Sequence, residues 1–396
     1  MRRIRIVYLV TGLDAGGAET MLSRLVARLS RERFDPIVIS LMDGKLRGVI
    51  ESHGVPVRTV GLRQGQLAPG ALFRLIALVR DAQPDLIHGW MYHGNLAAQV
   101  VSFFIGRPPV LWCIRNSFHT FAVEKPLTRL MIRVSALLSR FPAKIVFVSH
   151  ASRPSFEQIG FYAERSCVIS NGFDTSCFKP SEEARQSVRT ELGITAEAPL
   201  IGMMARYHPQ KDHESFCRAA ATVARDYPDV HFLLAGKGVD PENVVLAELL
   251  QSLQLHQRVH LLGERNDMAR ITAALDVATL SSSYGEGFSV AVGEAMSSGV
   301  PCVVTDVGDC ALTVGDTGLV VPPKDSESLA RGWIRLLSGG PEARRTLGQV
   351  ARRRIEENFS LAAAVRKYED LYASLVPIDK ERDLASSQSC ILSPES

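Results

Sequence analysis

At 396 residues the chain exceeds what one hydrophobic core ordinarily serves, so two domains are expected. A hydrophobic share of 46% is that of a folded globular protein, and no apolar run reaches the length of a membrane span; the best, residues 96–105, is broken by Gln99 and Ser102. Seven scattered cysteines, none in C-x2-C spacing, suggest neither a disulfide framework nor a structural zinc site and fit a reducing cytoplasm. The net charge of +3 conceals an asymmetry: residues 1–180 hold 23 Lys and Arg against 12 Asp and Glu, the remainder 22 against 30. That split suggests different partners for the two halves, or ordinary surface decoration.

In chain order, Ile4 to Val10, apolar but for Arg5, reads as a first strand rather than a secretory leader. It enters a turn containing Gly16 and Gly17, followed by a helix over 18–29. Those glycines let backbone amides approach a ligand or another domain, or simply make a tight turn; the pattern is not G-x-G-x-x-G, so no nicotinamide site is expected. Strands are predicted at 37–41, 57–60, 85–88, 110–114, 144–149 and 167–170, with helices at 70–80, 95–104 and 126–138 between them. Such alternation indicates a parallel, doubly wound α/β sheet. Lys125 to Arg140 is a basic amphipathic helix candidate, with Arg129, Arg133 and Arg140 set among Leu, Met, Ile and Val. It reads either as a surface for an anionic bilayer or as a core-packing helix with a solvated basic face.

Periodicity loosens near Phe178, and a domain boundary is placed near residue 180. A second alternation follows, with strands at 200–205, 231–235, 259–262, 277–280, 302–305 and 318–321 and helices at 214–227, 243–253, 268–274 and 326–337. Two helices, 341–357 and 361–375, meet at a break near Asn358. From Pro377 the apolar periodicity is lost, and a disordered tail is expected.

The chemistry-bearing residues gather in the second half. Arg206 and Lys211 follow a strand and precede a helix, where a guanidinium and an ammonium can neutralise a diphosphate, or pair locally with Asp212 or Glu214. Gly236, after the next strand, opens a loop toward a base or phosphate, or a plain turn. The stretch Glu286-Gly-Phe-Ser-Val-Ala-Val-Gly-Glu294 runs from a strand through a glycine turn into a helix. The helix start near Ser289 offers unpaired N–H groups to an anion. Glu286 and Glu294 would repel that anion but accept hydrogen bonds from the paired hydroxyls of a sugar and a ribose; the alternative is an ordinary turn with solvated acids. No cluster has metal-ligand spacing.

This stretch resembles the E-x7-E signature of the retaining family 4 glycosyltransferases with the GT-B fold. Gly16-Gly17-Ala18-Glu19, Ser170-Asn171-Gly172, Arg206 with Lys211-Asp212, and Gly315 through Pro322 resemble the same family in the same order. The resemblance implies two Rossmann-like domains facing across a cleft. Residues 1–180 would form an acceptor domain, completed by a final helix at 360–375, and 181–359 would form a donor domain. It implies a nucleoside diphosphate sugar as donor and a glycan or lipid-linked acceptor, with no metal, no cofactor and no nucleic acid.

By the same resemblance Glu286, His93, Arg206 and Lys211 carry the catalysis. Gly16, Gly17, Gly236, Gly287, Phe288, Ser289 and Glu294 join Arg206, Lys211 and Glu286 in holding the donor. Arg115 and Asn116 stand on the acceptor side, where many relatives carry a histidine motif, and read equally as loop caps. His93 is expected just before its helix. The expected setting is the cytoplasm, with peripheral contact to an anionic membrane through the basic half. The rival readings are a GT-B sugar-nucleotide epimerase and a catalytically silent nucleotide-sugar-binding protein; intact Arg206, Lys211, Glu286 and Glu294 argue against both.

Overall fold

The computed structural model describes residues 2–14, 16–62, 70–115, 117 and 126–376; the expected tail lies outside them. In chain order the first elements are β1 (Ile4–Val10), α1 (Gly17–Arg28), β2 (Phe34–Ser40), α2 (Arg47–Ser52), β3 (Val57–Thr59), α3 (Ala71–Ala82) and β4 (Leu86–Trp90). They continue with α4 (Met91–Ser102), β5 (Val110–Ile114), α5 (Pro126–Leu138), β6 (Lys144–Phe147), α6 (Ser152–Gln158) and β7 (Ser166–Val168). These strands form one sheet in the order β3-β2-β1-β4-β5-β6-β7, with β1 paired in parallel to β2 and β4. Covered on both faces, β1 and β4 read as mostly apolar runs rather than alternating ones, broken only by Arg5 and His88.

The second series is α7 (Glu182–Leu192), β8 (Leu200–Met204), α8 (His213–Asp226), β9 (His231–Ala235), α9 (Val244–Ser252), β10 (Val259–Leu261), α10 (Met268–Ala273) and β11 (Val277–Leu280). It ends with α11 (Val290–Ser297), β12 (Cys302–Thr305), α12 (Cys310–Val314), β13 (Leu319–Val321), α13 (Ser326–Ser338), α14 (Gly340–Asn358) and α15 (Leu361–Leu375). Its parallel sheet runs β10-β9-β8-β11-β12-β13.

The expected boundary near residue 180 falls between β7 and α7, where one sheet gives way to the next. The compact units divide the chain at other points: Met1–Cys113, Leu138–Ile145 and the chain from Val365 on form the first, Ile114–Leu137 and Val146–Ala364 the second.

In the first unit α15 lays Tyr368 and Tyr372 against the middle of the sheet. The Tyr372 hydroxyl lies 3.0 Å from both the Tyr8 hydroxyl and His88 Nδ1, and all three side chains are fully buried. His88 is therefore a core residue. The second unit is organised on Trp333, whose ring meets Phe216 and Phe232 and whose indole N–H donates to Thr279 at 2.9 Å. Burying rings of this size is a large part of what drives the unit to fold.

Helix starts are capped as the sequence allows. Ser181, Asp212, Asn243 and Asp325 accept from backbone amides of α7, α8, α9 and α13. One start departs from expectation: α4 begins at Met91, four residues before the predicted Asn95. Met91 takes a positive φ of 67°, so β4 turns into α4 with no loop between them. Gly94 permits this, because a Cβ there would lie 2.2 Å from the Leu9 carbonyl oxygen on β1.

Candidate active site

In the second sheet the strand order reverses between β8 and β11. Chains leaving the carboxyl ends of two such strands diverge and open a crevice, the usual ligand position of an open α/β sheet. Lys211 leaves β8 on a short 3-10 turn, and Glu286 leaves β11 on the loop that becomes α11. Across 75 residues the Lys211 ammonium donates to Glu286 Oε1, and Ser282 Oγ donates to the same oxygen at 2.6 Å.

Neither local partner considered for Lys211 is used. Asp212 caps α8 through Ser215, and Glu214 pairs with Arg218 one turn along. Glu286 is buried, and a buried ion pair recovers little net stability after desolvation, so this pair is poorly explained as scaffolding.

The Glu286 loop is held on three sides. Gly285 takes a left-handed φ of 75°, while Gly287 takes no positive φ and instead offers its carbonyl to the Asp309 amide at 2.9 Å. Gly308, at φ 61°, runs so close that a Cβ would meet the Glu286 carbonyl oxygen at 2.3 Å. The Phe288 ring is buried between Phe173 and Phe359, with centroids 5.9 and 5.2 Å away, and its carbonyl accepts from the Asn171 amide at 3.0 Å. Ser289 caps α11, and Glu294 lies half-buried on that helix.

Arg206 is exposed, has no carboxylate partner among the described residues, and lines a cavity of about 500 Å³ with Tyr207, His208, Lys237, Gly238 and Asp240. The cavity exists because Gly236, at φ 150°, lets the loop after β9 touch the one after β8: a Cβ there would lie 2.3 Å from the Ala205 carbonyl oxygen. Burial, then the cations Arg206 and Lys211, lowers the His208 pKa. The imidazole is thus neutral at pH 7, and its Nδ1 accepts from the Gln210 amide at 3.2 Å. Beneath, His213 is buried against Tyr207, and desolvation with help from Lys211 lowers its pKa to about 4.

The remaining expected residues lie elsewhere. Arg115, in the second unit, donates to Asn171 Oδ1 and so braces the segment that holds Phe288. Asn116 lies outside the described residues. Gly16, Gly17 and His93 are in the first unit, at its own reversal point between β1 and β4. Gly16 precedes α1 and Gly17 opens it. His93 is the third residue of α4, not a loop residue before it; its side chain is exposed, yet the protein packed around it lowers its pKa. Trp90 fixes this corner, its indole N–H donating to the Ala18 carbonyl at 2.9 Å.

Asp309 was not foreseen. Its buried carboxylate accepts from Ser149 Oγ at 2.8 Å and from the amides of His150 and Ala151 at 2.7 and 2.8 Å, while its own amide holds Gly287. The one sequence signal was its place in a strand-ending Asp-Val-Gly-Asp turn. Among the described residues, no three His, Cys, Asp or Glu side chains gather as a metal site requires.

Comparison with known proteins gives this geometry a family. Residues 15–176 match Glycosyltransferase Family 4, and residues 198–339 match Glycosyl transferases group 1. The chain is 25% identical over 315 residues to the UDP-Gal:alpha-D-GlcNAc-diphosphoundecaprenol alpha-1,3-galactosyltransferase of Escherichia coli, across 77% of this chain and 79% of that protein. It is 28% identical to the D-inositol 3-phosphate glycosyltransferase of Corynebacterium urealyticum across 93% of each chain. The crystal structure of Anabaena HepE in complex with UDP-glucose superposes with a TM-score of 0.81 at 26% identity, over 94% of this chain and 100% of that one. With two parallel α/β sheets in series and both family segments in order along it, the chain belongs to the family 4 glycosyltransferases of the GT-B fold.

Proposed function

We propose that the protein is a retaining glycosyltransferase that moves a sugar from a nucleoside diphosphate sugar to a hydroxyl of a polysaccharide or lipid-linked glycan precursor, without a metal ion. The observation that carries this reading is the meeting of Lys211 with Glu286 where the second sheet reverses, beside the start of α11 and the cavity-lining Arg206. An incoming diphosphate draws on Lys211, Arg206 and the amides opening α11, which face the charge that develops as the sugar–phosphate bond breaks. Glu286, relieved of part of its pairing, accepts from sugar hydroxyls, and Glu294 from the ribose. The acceptor oxygen bonds to the anomeric carbon on the face the diphosphate leaves, and the departing phosphate oxygen takes the acceptor proton. Two similarities support the substrates: HepE is described with UDP-glucose, and the Escherichia coli relative by its name acts on a diphosphoundecaprenol-linked sugar.

Nucleotide release across a panel of UDP-, GDP- and ADP-sugars, with lipid-linked acceptors and EDTA as variables, tests this. Release from one donor that persists in EDTA and rises with an acceptor is expected. Tight nucleotide binding with no release from any donor would make the protein a silent nucleotide-sugar binder, and release abolished by EDTA would remove metal independence.

A further inference from the structure

The ion pair at the reversal point stands on buried hydroxyls at the end of β11. Ser281 and Ser282 follow the strand directly, and both are fully buried. Ser281 Oγ donates to the Lys211 carbonyl at 2.8 Å, with the Asp212 carbonyl and Met203 Sδ each at 3.1 Å. Ser282 Oγ donates to Glu286 Oε1 at 2.6 Å. Adjacent hydroxyls thus reach opposite members of the pair, one through the backbone that carries the ammonium and the other at the carboxylate itself. The strand end that bears them is fixed twice more. Thr305 Oγ1, buried at the end of β12, donates to the Ser282 carbonyl at 2.7 Å, and the Ser283 amide donates to the Gln210 carbonyl at 2.8 Å. A buried hydroxyl needs a partner, whereas filling the space would take only an alanine. These two are aimed at the two charges.

We propose that Ser281 and Ser282 are positioning residues that hold Lys211 and Glu286 independently of one another, so that a ligand parts the ion pair without either side chain losing its place. When the ammonium turns to a diphosphate, Glu286 loses one of its two donors on Oε1. Ser282 remains, and a hydrogen bond from a hydroxyl to an ionised carboxylate is among the strong ones. It keeps the carboxylate aligned with Oε2 left to accept from a sugar hydroxyl, and a carboxylate set in advance needs no reorganisation as the reaction proceeds. Ser281 does the same for the turn after β8. With the Lys211 carbonyl held, the side chain starts from a fixed point and only its flexible ammonium end has to move. These roles rest on the transferase reading and add to it two side chains that act through Lys211 and Glu286.

Double-mutant cycles in the full chain test this, with turnover measured on the donor that the UDP-, GDP- and ADP-sugar panel identifies and nucleotide affinity measured by calorimetry with UDP, GDP and ADP. Ser282→Ala should lower kcat by about tenfold to a hundredfold while the nucleotide Kd stays within about threefold of wild type. In a Glu286→Ala background the same change should cost less than about threefold, because the group through which Ser282 acts is gone. Ser281→Ala should raise the nucleotide Kd by about tenfold, and should no longer raise it in a Lys211→Ala background. Wild-type turnover in Ser282→Ala, or an equal cost of either serine change with and without its charged partner, would overturn the proposal and leave the hydroxyls as plain core bonds. Those outcomes are distinct from failure of the transferase reading, in which the wild-type chain releases nucleotide from no donor and both readings fall together.

Discussion

In the first unit His88, Tyr8 and Tyr372 share hydrogen bonds deep in the core; in the second, Lys211, Glu286 and Ser282 share them at the mouth of the sheet. Both clusters bury polar atoms beside strand residues, yet their chemistry is opposed. Burial pushes the Tyr8 and Tyr372 phenols well above their usual range, so both hydroxyls stay protonated and bond to one another, that of Tyr372 also to His88 Nδ1. The other cluster is an ion pair, whose desolvation cost is hard to recover in the absence of a ligand. Depth along the strand separates them: His88 is the third residue of β4, whereas Lys211 and Glu286 lie beyond the ends of β8 and β11. His88 therefore belongs to the core, whereas Lys211 and Glu286 stand where open α/β sheets ordinarily hold ligands.

The sharpest way to break this contrast is to remove one charge from each side of the ion pair. Lys211→Ala and Glu286→Gln should each lower kcat for nucleotide release by roughly 10²–10³-fold while the fold persists, as judged by circular dichroism. Wild-type turnover in either would make the pair structural after all. Tyr372→Phe should do the reverse. It removes the hydroxyl shared by His88 and Tyr8, so urea denaturation should show a loss of roughly 1–3 kcal/mol while turnover per folded molecule holds. The smallest effect is in acid. His213, held neutral by burial with a pKa of about 4, and His260, lowered to about 4 by burial and then by His231, both lie below the ordinary value of about 6.5. Between those values the unfolded chain takes up protons that the folded chain does not. Stability is therefore complete above about pH 6.5 and falls as pH drops toward 4, and His213→Gln should make the fall shallower by up to one proton. An unchanged slope would mean that His213 is protonated in the folded protein.

Much of the fold was legible because buried parallel strands leave a direct trace. The runs at β1, β5, β9, β11 and β12 match the observed strands residue for residue, since each is covered on both faces and is mostly apolar. Short helices left no such trace. α2, α6 and α12 have too few turns for a period to emerge, and α7, just past the expected boundary, is mostly polar. The start of α4 was misplaced because a left-handed Met91 is not something a sequence pattern announces. In the site, the types of the residues were readable from the glycine turn and the acids spaced along one loop and helix.

By itself the sequence determined two alternating α/β series, the loop-to-helix stretch that carries Glu286 and Glu294, and a basic segment over α5. Only the tertiary structure decided that Lys211 meets Glu286 rather than Asp212 or Glu214, that Arg115 braces Asn171, that Asp309 ties the Ser149 turn to Gly287, and that the leucines of α5 face outward. The reason is physical. Strand and helix patterns arise from neighbours a few residues apart, whereas each of these choices depends on atoms brought together across 56 to 160 residues or on which face of a helix the sheet leaves uncovered.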